Sequence, residues 1–597
     1  MTEFLALAVA WFFQASPRPA APAFHTFSYN SQVLDGVRTY RVLLPAGYQK
    51  SRQHYPVVYW LHGVQREPEA REARLAAYVS SHGLILVDGG PEETQGQSAL
   101  YFPELVERID RTLRTVADRG HRAVAGVADG GFMALLLAGK YPDLVGSASS
   151  FEGTPEAFVG PAGFPVEYSH DDLADNYDGV RIRLTRSSAD SLAFYHKRLD
   201  SIWKYTRPSF ESVTFLAGQD LTEIDRTLDF HMAAIALPLP APAVFTHADA
   251  WPNFTVWGWE VVSTRKQPGF TVLENVSNSG FRTSVRQYLP AGATIPEVNL
   301  SIGSPPIYPP GVPLSVTYIH LVDGKVRRTE QRVDPHGRLN FDLSGDAWEV
   351  AISNGPLLAV SGYAIADASW ATAGKPVNLK VRFLNKGGAR IGTSLVRWES
   401  PNPDVKFAIP EGRLYALDRG ESANLPVTFT VTDPGRAVVK IYAVYGTNRV
   451  PFEVPLYPDA EPAKDFQIAD GRSLTVFQHA TQKAGLRFGE GNGDGHAAPG
   501  ETFAVLLPDG GALRAAELFT NDACVDNAMR GSDSWADYDR SGASAKYSLP
   551  SIHVDCEPGH VVHMLARIAI PNGADTRVKY YSLEFPVWYR NSGEVQK

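Results

Sequence analysis

The sequence predicts a doubly wound, mostly parallel α/β domain over residues 24–240, followed by three β-rich, sandwich-like domains. Three observations lead there. Strand and helix signals alternate through the first 240 residues, which implies a parallel sheet with helices on both faces. Past a proline-rich break at 237–242, LPLPAP, helix signals nearly vanish and short apolar runs alternate with Pro/Gly turns. The length, 597 residues, accommodates about four domains at roughly 150 residues each.

In the α/β region, strands are expected over 24–29 and 38–44, the second ended by Pro45-Ala46-Gly47. Residues 55–61, with the run PVVYWL, are continuously apolar, as a strand covered on both faces requires. They lead into His62-Gly63-Val64. Residues 83–87 form a similar run. Leu105, Ile109 and Leu113 place one helical face over 101–116. A strand through Val124 and Val127, a glycine-rich turn and a helix over 132–140 follow. Tyr141-Pro142 closes that helix, because the residue before proline resists the helical region. Strands at 147–151, 180–184 and 212–216 and helices at 191–205 and 224–237 complete the pattern, with loops at 64–73 and 154–176 left to shape a pocket.

The turn is the stretch with most chemistry in it: Gly126-Val127-Ala128-Asp129-Gly130-Gly131, followed by an Ala/Leu helix and the exit Pro142-Asp143-Leu144. Strand, glycine-rich turn, helix and strand in this order resemble the nucleophile elbow of an α/β-hydrolase. The segment most resembles the secreted-esterase family that includes feruloyl esterases, S-formylglutathione hydrolases and mycolyltransferases. That family reads Gly-x-Ser-x-Gly-Gly at the turn, and the resemblance covers about 210 residues. It implies an α/β-hydrolase fold and carboxylic-ester chemistry. The departure is the nucleophile, whose position holds Ala128.

A serine hydrolase needs a nucleophile, a base and an acid that orients the base, plus backbone donors for the oxyanion. The resemblance puts the acid at Asp190, after the strand that ends near Arg186. It puts the base after the last strand, in Leu216-Ala217-Gly218-Gln219-Asp220, where Gln219 stands in place of histidine. A methyl group cannot attack, and a glutamine amide does not accept a proton near neutral pH. Backbone N–H groups of Val64 and Asp129 are the candidate oxyanion donors. Three rescues keep an enzyme reading open: Asp129 as nucleophile after a one-residue slip, His231 or His247 as a base from elsewhere, and Ser80 or Ser187 as displaced nucleophiles.

Beyond the break, residues 245–360 read as a β-sandwich. Its aromatics Trp251, Phe254, Trp257 and Trp259 suit either a glycan-binding face or, more ordinarily, a core or domain interface. Residues 361–457 show strict alternation at Val377, Leu379, Val381 and Phe383 before the turn Asn385-Lys386-Gly387-Gly388, and resemble the immunoglobulin-like modules of bacterial surface proteins. A second linker, PDAEPAK, precedes a last β-rich domain at 465–597. There the stretch EGNGDGHAAPGE places Glu490, Asn492, Asp494 and Glu501 at positions 1, 3, 5 and 12 of a calcium loop, with Gly495 at position 6. Calcium, a hard ion, takes such oxygen sets; the other reading is an acidic glycine turn without metal. No helix follows Gly489, Gly491 and Gly493 to meet a phosphate, so no nucleotide site is expected.

Charge and cysteine usage bound the setting. There are 56 Lys+Arg against 65 Asp+Glu, a net charge of -9, which points to neither nucleic acid nor an anionic membrane as partner. Residues 1–23 read as a signal peptide: an apolar run at 4–13, too short to span a bilayer, then small residues. Only Thr2 and Glu3 precede that run, where a basic segment is usual, and a buried N-terminal helix is the competing reading. No later stretch is apolar enough for a transmembrane span. Export implies a secreted, periplasmic or cell-surface protein and a Cys524–Cys556 disulfide. The functional reading is a catalytically degenerate esterase domain retained for binding or scaffolding, with a small-molecule, glycan or polymer ligand or a cell-surface or protein partner. The alternatives are an active carboxylic-ester hydrolase with a displaced constellation, and an adhesion protein led by its β-modules.

Overall fold

The computed structural model describes residues 23–588, except 64–67, 90–96, 155, 171–172, 191–198, 200–209, 290–292, 321–324, 367–370, 435, 437, 447, 458–459, 472, 478–482, 488–490, 510–511, 521, 523, 527–549, 553–555, 557–558 and 573–574. In the N-terminal region it has strands β1 (His25–Ser31), β2 (Gly36–Leu43), β3 (Val57–Leu61), β4 (Ile85–Asp88), β5 (Arg122–Val127), β6 (Ser147–Phe151), β7 (Glu156–Val159), β8 (Val166–Ser169), β9 (Arg181–Ser187) and β10 (Phe210–Phe215). The α-helices whose bounds fall among the described residues are α1 (Glu69–His82), α2 (Gln97–Thr112), α3 (Asp129–Lys140) and α4 (Asp220–Ala236).

Eight of these strands make one sheet in the order β1-β2-β4-β3-β5-β6-β9-β10. The β1–β2 and β2–β4 pairs are antiparallel; the pairs from β4 through β10 are parallel. All five residues of β3 are buried, because both faces are covered. Val57, Tyr59 and Leu61 pack with α2 and α3; Val58 and Trp60 pack with α1 and α4. β3 leaves through α1 to β4 on one side, and its neighbour β5 leaves through α3 to β6 on the other. Such a reversal opens a crevice at the carboxyl ends of the two strands, and it brings Gly63 against Ala128.

Two elements were not foreseen in the sequence. α1 begins inside the stretch expected as the loop 64–73, and the β7–β8 hairpin lies within the expected loop 154–176. The expected helix over 191–205 falls, apart from Leu199, outside the described residues.

Among the described residues beyond α4, the regular elements are strands. Residues 245–352 form sheets of six and four strands around one core, beginning with β11 (Phe245–Asp249). Residues 358–455 form two four-stranded sheets in which Val377, Leu379, Val381 and Phe383 all point into the core. The last region is built on the long hairpin of Val561–Asn572 and Asp575–Pro586. Trp251, Phe254 and Trp259 are buried and Trp257 is half-buried, so these rings serve core and interface.

The first sandwich is joined to the α/β region by specific contacts. The side-chain amide of Asn176 donates to Ala248 O and accepts from Ala248 N, both at 2.8 Å, and so pairs with β11 as a neighbouring strand would. Ala250, Trp251, Phe270 and Val272 share one apolar cluster with Phe132, Val159, Val166 and Tyr168. The proline-rich stretch at 237–242 is not a free tether: Arg119 Nη1 donates to Leu239 O and Arg181 Nη2 to Leu237 O, each at 3.0 Å.

Candidate functional site

Ala128 sits between the last residue of β5 and the first of α3, with φ 51° and ψ -121°. A non-glycine residue there is strained by roughly 1–3 kcal/mol and persists only where its surroundings over-determine it. They do here. Its N–H donates to Phe151 O at 2.9 Å, and its carbonyl accepts from Gly131 N at 2.8 Å and Phe132 N at 3.2 Å. A Cβ on Gly126 would collide with Gly130 O, and one on Gly130 would collide with Leu61 O. A Cβ on Gly131 would stand 2.7 Å from Ser150 Oγ. The glycines flanking Ala128 are thus required by close backbone approach, and the turn holds its shape although its central residue carries only a methyl group. Ala128 and Asp129 are both exposed.

Gly63 faces this turn: a Cβ on it would lie 3.6 Å from Ala128 Cβ and 3.9 Å from Asp129 N. Asp129 opens α3, where a backbone N–H has no intrahelical acceptor. The other candidate oxyanion donor, Val64, lies outside the described residues. His62 is half-buried, with Nδ1 2.7 Å from Gly63 O and Nε2 3.6 Å from Asp88 Oδ1. Asp88 is in turn held by Arg41 Nε at 3.0 Å. Both imidazole nitrogens therefore face oxygens of this network.

The sheet register aligns Val127 with Phe151, Phe151 with Thr185, and Phe215 with Ser187. Ala128, Asp190 and Gln219 accordingly share the carboxyl edge of the sheet. Asp190 is half-buried in the turn after β9, and its N–H donates to Ser187 O at 3.1 Å. Gln219 is exposed and precedes α4 directly. Glu152, which sequence reasoning missed, stands on the same edge at φ 54° and accepts from Ser187 N at 3.1 Å. Burial pushes its carboxyl up, and the charges of Asp190 and Asp220 add to that. A single glutamate after a strand leaves no pattern that would flag it.

The alternative bases are built into the interior. His231 is fully buried between Ser147 Oγ and Ser149 Oγ, each 2.8 Å from a ring nitrogen, and burial pushes its pKa down to about 3. His247 is buried at the domain boundary, 3.6 Å from Asp249. Ser187 is buried with its Oγ accepting from Ala189 N at 3.2 Å, and Ser80 lies on α1. Asp129 stands one residue past the strained position, as the first residue of the helix.

Of the expected calcium ligands, Glu490 lies outside the described residues. Asn492 Oδ1 accepts from Asp494 N, and Asp494 Oδ1 from His496 N, both at 2.9 Å. Buried Glu501 accepts from Asn492 N at 3.1 Å and Ala498 N at 3.2 Å. The carboxylate that closes the loop is Asp470, fully buried, which accepts N–H groups of Gly493, Asp494 and Gly495 at 2.8, 3.0 and 3.0 Å. Asp470 is 20 or more residues from the loop, so no local spacing reveals it. Burial, with Asp470 and Asp494 nearby, pushes the Glu501 carboxyl up. These oxygens are of the type that holds a hard cation, and each carboxylate already accepts hydrogen bonds within the loop: Asp470 and Glu501 from backbone N–H groups, and Asp494 Oδ2 from Asn492 Nδ2 at 2.9 Å. Cys524 and Cys556 are joined by a disulfide, with Cα atoms 5.3 Å apart.

Residues 99–216 match a family model described as "Putative esterase". That span contains Ala128 and Asp190 and ends short of Gln219. Two curated relatives, esterases of two Mycobacterium tuberculosis strains, are 33% identical over 128 residues, covering 19% of this chain. The chain spans 28% of the length of these relatives. Solved structures that resemble it include a ferulic acid esterase (19% identity, 36% of this chain and 98% of that one, TM-score 0.31). Another is S-formylglutathione hydrolase of Staphylococcus aureus (12% identity, 36% and 98%, TM-score 0.31). A third is a ferulic acid esterase of Anaeromyces mucronatus (18% identity, 37% and 94%, TM-score 0.31). No helix among the described residues is long and apolar enough to cross a membrane.

Proposed function

We propose that the N-terminal region, whose residues 99–216 match an esterase family model, is an α/β-hydrolase domain that has given up serine-hydrolase chemistry and binds an ester- or acyl-bearing ligand. The single observation behind the proposal is Ala128. It keeps the strained backbone of a nucleophile elbow, with exposed surface, and offers no attacking atom. Gln219 supports it, since the expected base position holds an amide. Burial of His231 and His247 supports it further, because neither imidazole reaches solvent. What remains at the crevice is a binding surface: the Asp129 N–H at the start of α3, the backbone of Gly63, and the carboxylates of Glu152, Asp190 and Asp220.

The protein is, on this reading, an exported binding or scaffolding molecule whose β-domains space or present the α/β domain, with calcium bound in the last domain by Asp470, Asn492, Asp494 and Glu501. The test is direct. The full chain is melted with a panel of short acyl and aryl esters while hydrolysis and fluorophosphonate labelling are followed in parallel. A ligand-dependent rise in melting temperature without turnover or labelling is expected. Labelling of any serine in residues 23–240 restores the enzyme reading.

A further inference from the structure

The short segment Asp175-Asn176-Tyr177-Asp178, on the amino edge of the α/β sheet, touches two other domains at once. Asn176 pairs with Ala248 of the first sandwich through both of its amide atoms. Two residues on, Asp178 Oδ2 lies 3.9 Å from Lys440 Nζ, on the strand Val438–Tyr445 of the second sandwich. Chain order links the α/β domain to the first sandwich and the first sandwich to the second. The Lys440 contact brings the second sandwich back to the α/β domain. We infer that Lys440 is a latch that closes these three domains into one ring and so fixes the direction in which the crevice faces relative to the β-domains.

The other two joints of the ring leave the latch little to do. At the first, the buried Lys140–Asp249 pair crosses from α3 into the first sandwich. The guanidinium of Arg119 bonds Gly179 O, next to Asp178, and stands 5.1 Å from the ring of Trp257 at the tip of a first-sandwich hairpin. At the second joint, buried Lys386 of the second sandwich pairs with Glu349 of the first. Lys386 N donates to Leu357 O at 2.9 Å and Gly388 N to Gly355 O at 3.0 Å. A Cβ on Gly387 would collide with Gly355 O and Leu357 N. The turn at 385–388 is thus clamped onto the segment that leads from one sandwich to the next. With both joints fixed, a third contact has little conformational freedom left to remove, and its two halves face each other at high effective concentration. An ion pair that contributes little on an open surface is then enough to hold the ring shut.

Lys440 is fitted to that role by its surroundings. It and Asp178 are both half-buried, and Glu453 Oε1, on the neighbouring strand, stands 4.0 Å from the ammonium. Burial alone would push the Lys440 ammonium down; Asp178, Glu453 and Asp175 hold it up instead. Two of those three carboxylates belong to the α/β domain, so the cation keeps its favourable surroundings only while the ring is closed.

The test measures the distance between two spin labels in the full-length chain by pulsed electron paramagnetic resonance. The chain has two cysteines in all, joined to each other. Cysteines introduced at exposed Glu107 on α2 and exposed Arg397 on the second sandwich therefore take the labels. A single narrow distance is expected in the otherwise native chain. Lys440→Gln should broaden it by removing the charge, and Lys440→Glu should broaden it further by repulsion. The exchange Lys440→Glu with Asp178→Lys should narrow it again, and melting curves of the α/β region should stay alike throughout. A broad distribution in the native chain, a distribution as narrow in Lys440→Glu as in the native chain, or an exchange no narrower than Lys440→Glu alone would overturn the inference.

Discussion

Lys140 Nζ lies 2.6 Å from Asp249 Oδ2 in an ion pair that is fully buried and crosses from the end of α3 into the first sandwich. The indole of Trp251 lies 4.2 Å from the same ammonium, and Trp251 N donates to Asp249 Oδ1 at 2.8 Å. Burial alone would push the Asp249 carboxyl up; Lys140 and His247 together hold it low instead. Helix α3, whose first turn carries the elbow, is thereby anchored at its far end to a second domain.

That pair gives a first expectation. Lys140→Met removes the nearest cation from buried Asp249 and leaves it to His247, 3.6 Å away, which should destabilise the joined domains by up to about 3–5 kcal/mol. Adding Asp249→Asn removes the charge, keeps an acceptor for Trp251 N and should restore part of the loss. Denaturation of the full chain followed by tryptophan fluorescence measures both. A double variant that loses the sum of the two singles would show that the charges are not coupled.

Two buried histidines set the acid limit. His170, against Phe132 and Tyr177, and His231, between Ser147 and Ser149, are both pushed down to about 3 by burial. Their folded values lie below the unfolded 6.5, so the stabilising difference is complete above about pH 6.5 and is lost as pH falls toward 3. The slope is about 1.4 kcal/mol per pH unit for each histidine in that window. Melting temperature should fall steeply from pH 6.5 to 4.5, and His231→Gln should flatten the fall. An unchanged slope in that variant would assign the acid lability elsewhere.

The calcium reading makes a separate claim on the last domain. Binding to the native state alone stabilises by mass action, about 2.7 kcal/mol at a concentration 100 times Kd. The last-domain transition should rise by several degrees between chelator and millimolar calcium, and Asp470→Asn should abolish the difference. Equal melts in both buffers would leave the loop as a turn closed by its own hydrogen bonds.

The parts of the fold that sequence revealed are those whose signal is local. β3 is legible because all five residues are buried, and the elbow because Gly126, Ala128 and Gly130 meet their constraints within five residues. What escaped depends on partners far along the chain. In α1, Leu75, Ala76, Tyr78 and Val79 face the sheet, but the helix opens with charged residues that read as loop. The β7–β8 hairpin buries Val159, Val166 and Tyr168 in a cluster shared with Trp251 and Phe270 of the next domain, which no local periodicity announces. The prolines at 237–242 read as a tether, because the arginines that strap them, Arg119 and Arg181, are more than 50 residues away. Asp470 escaped for the same reason, and Glu152 because positive φ leaves no mark on a glutamate.

The elbow itself supplies the last prediction. The native chain should not hydrolyse short p-nitrophenyl esters through an acyl-enzyme, since Ala128 has no attacking oxygen. Because the backbone at 128 already holds φ 51° and ψ -121°, Ala128→Ser would place a hydroxyl on the turn without moving it. It should still be nearly inactive, because a serine hydroxyl without a base is a poor nucleophile. Triad members act as a unit, so losing one removes almost as much rate as losing all, several powers of ten. The recoverable rate therefore appears only when both members return. Ala128→Ser with Gln219→His should exceed either single variant by at least 10-fold in kcat/KM, a difference of about 1.4 kcal/mol in transition-state stabilisation. Asp190 follows β9 on the same edge of the sheet, and if its carboxylate orients the new imidazole, adding Asp190→Ala should remove the gain. If the double variant matches the singles under conditions where all melt alike, the crevice has lost the relative placement of its three positions as well as its chemistry.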